Sequence, residues 1–139
     1  MWTDHRIAAW LAHPGTALAA RLALVSPFLG SGILKATDFP GAVAEVRGLV
    51  GLEPASLLAV LVIATQLGGS ALVIAGGHLA WIGAVLAGFS ALATLLAHAF
   101  WTKAGVEQIR DLTTFLEHVG LIGGFLLAVI VGAQRGARQ

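Results

Sequence analysis

Residues 54 to 102 read PASLLAVLVIATQLGGSALVIAGGHLAWIGAVLAGFSALATLLAHAFWT, 49 positions without one Asp, Glu, Lys or Arg. As a helix rising about 1.5 Å per residue, the stretch would be roughly 73 Å long. The hydrocarbon core of a bilayer is about 30 Å thick, so the stretch is too long for one crossing and long enough for two. Gly76-Gly77-His78 supplies a break in the middle. The pattern is that of a membrane hairpin, with spans at about 55–77 and 78–101.

Working outward, two further apolar segments flank the hairpin. Residues 16–36 carry only Arg21 and Lys35, near the two ends, and residues 112–132 carry only Glu117 and His118, near the start. The sequence therefore predicts an all-α integral membrane four-helix bundle, a single membrane domain over 1–139, with both termini on the same side. Residues 1–15 lack the apolar core of a signal peptide, since His13, Pro14 and Gly15 interrupt it. Trp2, Ile7, Trp10 and Leu11 instead mark an interfacial segment with aromatic anchors. Between the first two spans, Val43, Val46 and Leu49 or Val50 give one apolar face of a short surface helix. Residues 42–49 and 105–112 echo one another at an offset of 63, which would place Lys35 over His98 in a duplicated hairpin.

Composition excludes several function classes. Charged residues make up 11% against the roughly 25% usual in soluble domains, and the mean hydropathy is +0.89. A net charge of +1 with scattered Lys and Arg leaves no nucleic-acid footprint. The chain has no cysteine, which removes disulfides, thiolate catalysis and Cys-ligated clusters. Nothing has metal-ligand spacing, so no metal and no intrinsic cofactor is expected. Lys and Arg divide evenly between the two sides of the membrane, and six of the seven acids fall on the loop side. That minor bias puts the termini in the cytoplasm.

Within lipid, small residues let helices approach closely. Gly30, Gly68, Gly69, Gly120 and Gly124 are the expected packing positions, with Gly120, Gly124, Ala128 and Gly132 forming one stripe of the last helix. Ionisable groups inside spans are costly and mark functional sites by default. Lys35, Gln66, Thr94, His98, Trp101, Glu117 and His118 all belong to the loop-side half of the bundle. Glu117 shares the glycine stripe and is expected to face inward. Each residue also has a purely structural role open to it: snorkelling for Lys35, belt anchoring for Trp101, or an ion pair for Glu117. Together they outline a polar site at the loop-side mouth of the bundle.

Gly30-Ser-Gly-Ile-Leu-Lys35, Gln66-Leu-Gly-Gly69, His98-Ala-Phe-Trp101 and Gly123-Gly-Phe-Leu-Leu127 resemble the DoxX family of small four-helix bacterial membrane proteins. The resemblance runs over about residues 16–132. It implies a multi-pass protein of the bacterial inner membrane, akin to a subunit of a thiosulfate:quinone oxidoreductase. Members commonly have Glu where this chain has Gln66, and Lys-Asn where it has Glu117-His118. The expected role is thus a membrane subunit or anchor of an oxidoreductase system that contacts quinone, with a soluble or peripheral partner or a second copy. The alternatives are a stand-alone thiosulfate:quinone oxidoreductase and a non-enzymatic carrier of a small solute or lipid.

Overall fold

The computed structural model describes residues 2–76 and 80–136. Gly77 and His78 of the expected turn, and the side chains of Trp2, Arg135 and Arg138, lie outside the described part. The described residues form six α-helices and no strand: α1 (Trp2–Ala12), α2 (Pro14–Thr37), α3 (Phe39–Val50), α4 (Ala55–Ala75), α5 (Ala80–Ala97) and α6 (Gly105–Gly136), with a single 3₁₀ turn at Phe100–Thr102. Four segments are long and apolar enough to cross a membrane: Pro14–Thr37, Ala55–Ala75, Trp81–Thr102 and Gly105–Gln134.

Helix ends differ from the sequence expectation where caps decide them. α2 starts two residues early because Pro14 suits a first helical turn and His13 Nδ1 accepts from the Gly15 N–H at 3.0 Å. α1 is a separate helix before it, with Ile7, Trp10 and Leu11 all exposed. At the other end of α2, Asp38 accepts from the Gly41 N–H at 3.0 Å, so α3 begins after a single-residue break. α3 is the expected surface helix, and it buries Ala42 and Val46 against Ala59 of α4. α6 is longer than expected, since 105–112 continues directly into the apolar span. α5 is shorter: the chain leaves the helix at His98 and turns through Phe100–Thr102.

Pro27 lies inside α2 and cannot donate to the Ala23 carbonyl. The neighbouring Ser26 hydroxyl donates to that carbonyl at 2.9 Å, which satisfies the freed group without water.

The main core joins α2, α5 and α6: Val25, Phe28, Leu86, Ala87 and Phe125 are buried together. Phe28 meets Phe125 edge-on at 5.3 Å between centroids. Of the expected packing glycines, Gly69 sits against Leu86 and Gly124 against Leu24. Gly30, Gly68 and Gly120 do not pack within the chain; each is exposed, with open space where a side chain would stand. A glycine stripe on α6 is therefore not its inward stripe, which is the heptad-spaced series Asp111, His118, Phe125. Outward faces are aliphatic, with Leu34, Leu127 and Leu92 more than half exposed, as a lipid environment requires.

Arg21 reaches from α2 to the end of α4, where its guanidinium donates to the Ile74 carbonyl at 3.3 Å. It supplies positive charge at the negative end of that helix. Gly76 ends α4 at φ 71, ψ −162, a region that only glycine occupies freely, and a Cβ there would strike the Arg21 guanidinium. Gly76→Ala should therefore cost about 1–3 kcal/mol, read as a lower Tm in detergent. Gly68→Ala, in open space within a helix, should leave Tm unchanged or raise it.

At the start of α4 the Glu53 carboxylate accepts from Arg47 Nε at 2.6 Å and from the Ala55 N–H at 2.8 Å. The Arg47 hydrogen bond first, and the Ala55 amide second, hold the Glu53 carboxyl below its usual range. Its support of the α4 cap is therefore full above the ordinary carboxylate range and is lost as pH falls through the depressed value. Carboxyl ¹³C titration should show Glu53 moving back up toward its ordinary value in Arg47→Met. An unchanged midpoint would show that Arg47 has no hold on it.

Candidate functional site

A cavity of about 620 Å³ lies between α2, α3 and α4 on one side and α5 and α6 on the other. Its size falls in the range of small-molecule sites, about 300–1,000 Å³. Phe28 and Phe89, at the edge of the core, close its inner end, and Glu45, Val46, Leu49 and Val50 of α3 line its outer end. The wall also includes Leu61 of α4 and Leu92 and Leu96 of α5, all substantially exposed. These residues make the margin of the cavity on the α4 and α5 side continuous with the apolar outer surface.

Most of the wall is aliphatic, and the polar groups are few and convergent. Ser31 lies one turn before Lys35, so both occupy one face of α2. The Ser31 hydroxyl accepts from Lys35 Nζ at 3.3 Å and from Gln66 Nε2 at 3.1 Å. Lys35 also pairs with Glu45 of α3 at 2.9 Å, which ties the end of α2 to the surface helix. Gln66 is 7% exposed. Its amide oxygen is buried and has no hydrogen-bond partner in the protein.

The facing wall is built from two histidines. His118 Nδ1 and the hydroxyl of buried Thr94 are 2.8 Å apart. The His98 ring lies 5.2 Å from that of His118, tilted by 56°. His98 Nδ1 is buried without a hydrogen bond, 3.9 Å from Asp111 Oδ1. Asp111 is 4% exposed and accepts from Lys103; Arg110 Nε stands 3.7 Å from its other oxygen. A carboxylate so little exposed needs such counter-charges to persist.

Five of the seven candidate residues thus meet: Lys35, Gln66, His98 and His118 line the cavity, and Thr94 holds His118. Two do not. Glu117 is exposed, because α6 turns about 100° per residue and the inward place belongs to His118. Trp101 is 52% exposed and packs edge-on against Phe100 and Phe115, away from the cavity wall. Ser31, Glu45 and Asp111 escaped the sequence reading. Their spacing held a signal: Ser31 is four residues before Lys35, and Asp111 is seven before His118.

The arrangement can hold a ligand with an apolar body and a hydrogen-bonding head. It offers an unmatched amide oxygen, an amine and two imidazoles in a low-polarity space. No characterised protein and no solved structure matches the chain. The family model for DoxX matches residues 16–99, more than half of the sequence, from the first turn of α2 to just past α5. With four helices fit to cross a membrane, this chain is a multi-pass membrane protein that belongs to the DoxX family.

Proposed function

We propose that this protein is a quinone-contacting membrane subunit of a bacterial inner-membrane oxidoreductase system, with its termini on the cytoplasmic side. The observation that carries this proposal is Gln66: a side chain more than nine-tenths buried, in the wall of an aliphatic cavity, with one end of its amide unmatched. An unpaired buried polar group costs about 1–3 kcal/mol. A ligand head that bonds it would recover that cost.

The surroundings fit a quinone-type ring. Lys35 uses two of its three donors on Ser31 and Glu45, which leaves one for a ligand oxygen. His98, from the facing wall, adds an imidazole. Aliphatic residues suit a hydrocarbon tail, and the exposed margin at Leu61, Leu92 and Leu96 gives the tail a way out to lipid. A bound quinone supplies reversible electron uptake; the residues named here bind and orient it. No cysteine is available to pass electrons, and the ionisable side chains lining the cavity among the described residues are Lys35, Glu45, His98 and His118. This supports a role beside a redox partner rather than a solitary catalyst.

In nanodiscs, a short-chain quinol, the reduced form of a quinone, should bind the wild-type protein, and His98→Leu or Gln66→Leu should weaken its binding by about tenfold, as loss of one good hydrogen bond implies. Gln66→Leu should at the same time raise Tm, because it removes a buried unmatched group. A lower Tm with unchanged affinity would make Gln66 a structural residue. The assembly itself is tested by isolating the protein from its own membranes in mild detergent. A peripheral or soluble oxidoreductase should accompany it in near-stoichiometric amount, and its absence from intact preparations would remove the subunit role.

A further inference from the structure

Asp111 is the buried acid of the described chain, and nothing in the proposed binding of a quinone uses it. It sits on the first turns of α6, on the same stripe as His118, with its Oδ1 toward His98 Nδ1 at 3.9 Å. Lys103 at Oδ2 and Arg110 Nε, 3.7 Å from the same Oδ1, balance its charge. His98 Nδ1 is buried and makes no hydrogen bond among the described residues, so the Asp111 carboxylate is its polar neighbour. The ring nonetheless lines the cavity and is about a quarter exposed. Nδ1 is thus on the carboxylate's side of the ring, while the side chain as a whole keeps a face on the cavity.

A carboxylate beside one ring nitrogen favours the proton there, so a neutral imidazole carries its lone pair on the other nitrogen. We propose that Asp111 is a positioning residue that fixes His98 as the Nδ1–H tautomer, so that Nε2 faces the cavity as a hydrogen-bond acceptor and selects the hydroxyl-bearing, quinol form of the ligand. This rests on the quinone-binding function proposed above and names the form of ligand. The Gln66 amide oxygen is a second acceptor in the same cavity. Two acceptors are satisfied by two hydroxyls and not by two carbonyls, whereas the Lys35 amine suits an oxygen of either form. Separations of this kind in ligand-free sites tighten when the ligand is bound.

The remaining charged and titratable groups around the pair leave the assignment intact. Lys35 and Glu45 neutralise one another on the opposite wall, and His118 is engaged with Thr94. Glu117 is exposed, on a different face of α6. When a ligand hydroxyl gives up its proton, its O–H bond breaks and an N–H bond forms at Nε2. The result is an imidazolium beside the Asp111 carboxylate and a ligand oxyanion within reach of Lys35. No electron moves in that step.

The test is ¹⁵N NMR of the imidazoles in lipid nanodiscs, with His98 assigned by its loss in His98→Gln. Wild type should show His98 as Nδ1–H, Asp111→Asn should convert it toward Nε2–H, and Asp111→Glu should restore Nδ1–H. An Nε2–H form in wild type overturns the proposal by itself, even if Asp111→Asn does not fold. Thr94→Val, which frees His118 alone, should leave the His98 signal in place; its conversion there would assign the tautomer to His118 instead. In parallel, a short-chain quinol should bind wild type at least about tenfold tighter than the matching quinone, a preference that Asp111→Asn should reduce and that Asp111→Asn combined with Gln66→Leu should erase. Equal affinities with Nδ1–H intact overturn the selectivity. Failure of both forms to bind, with the tautomer as expected, overturns the quinone-binding function and leaves the Asp111–His98 pair standing.

Discussion

Close approach of α5 to α4 and α6 at glycine, present along the first half of α5 and absent from its second half, is the constraint from which the cavity follows. A Cβ at Gly69 would lie 2.7 Å from a Leu86 methyl carbon, and one at Gly83 would lie 2.9 Å from Val129. Lipid tails are as apolar as leucine, so helices gain little from hiding aliphatic surface and are held by such tight van der Waals contact instead. α4, α5 and α6 are drawn together there, next to the Phe28–Leu86–Phe125 core. Toward the loop end no glycine brings α4 and α5 together, and the larger Leu61, Leu92 and Leu96 stand on the diverging walls. The space between is what remains when packing is tight at one end and bulky at the other.

That space would be costly if its polar groups were left to the bilayer. The charges at the loop end are instead paired locally: Lys35 with Glu45, and Asp111 with Lys103 and Arg110. Each pair also ties one helix to its neighbouring segment, α2 to α3 and the 3₁₀ turn to α6. The buried side-chain atoms left without a hydrogen bond among the described residues are the Gln66 amide oxygen, the Ser70 hydroxyl and His98 Nδ1, and none belongs to a carboxylate, an amine or a guanidinium. An unmatched neutral group is tolerable at about 1–3 kcal/mol, while an unmatched buried ion is not. The distribution is therefore what a binding site can sustain when empty.

The spans were legible in the sequence because lipid imposes a length and forbids charge, and a 49-residue uncharged run satisfies both constraints only as a hairpin. Lys35, Gln66 and His98 could be brought to one end simply by following chain direction through successive helices. Rotation about the helix axis was harder to read. On α6 the glycine stripe suggested an inward Glu117, but glycine carries no side chain to declare a face, and Gly120 stands in open space. The heptad through Asp111, His118 and Phe125 was the true inward line, hidden because two of its three members are polar. Trp101 was misplaced for another reason: α5 ends at Ala97, and the turn beyond it carries the indole onto Phe115. Ser31 and Glu45 matter only through the approach of other elements, which local sequence does not report.

The family match ends at residue 99, so it speaks for α2 to α5 and is silent on α6. Lys35, Gln66 and His98 lie within it; Asp111 and His118 do not. This division bears on where a proton could be handled. An amide at position 66 cannot take up or release one under ordinary conditions, whatever a carboxylate would do there. Among the groups lining the cavity, the imidazoles are the ones with both a donating and an accepting ring nitrogen, and both depend on α6: His118 belongs to it, and His98 faces its Asp111. The α2–α5 part builds a membrane cavity with a hydrogen-bonding wall, and α6 completes it with the partners that orient its bases. The placement of both imidazoles accordingly turns on how α6 is seated against α5, to which the Thr94–His118 hydrogen bond and the Gly83–Val129 contact both contribute.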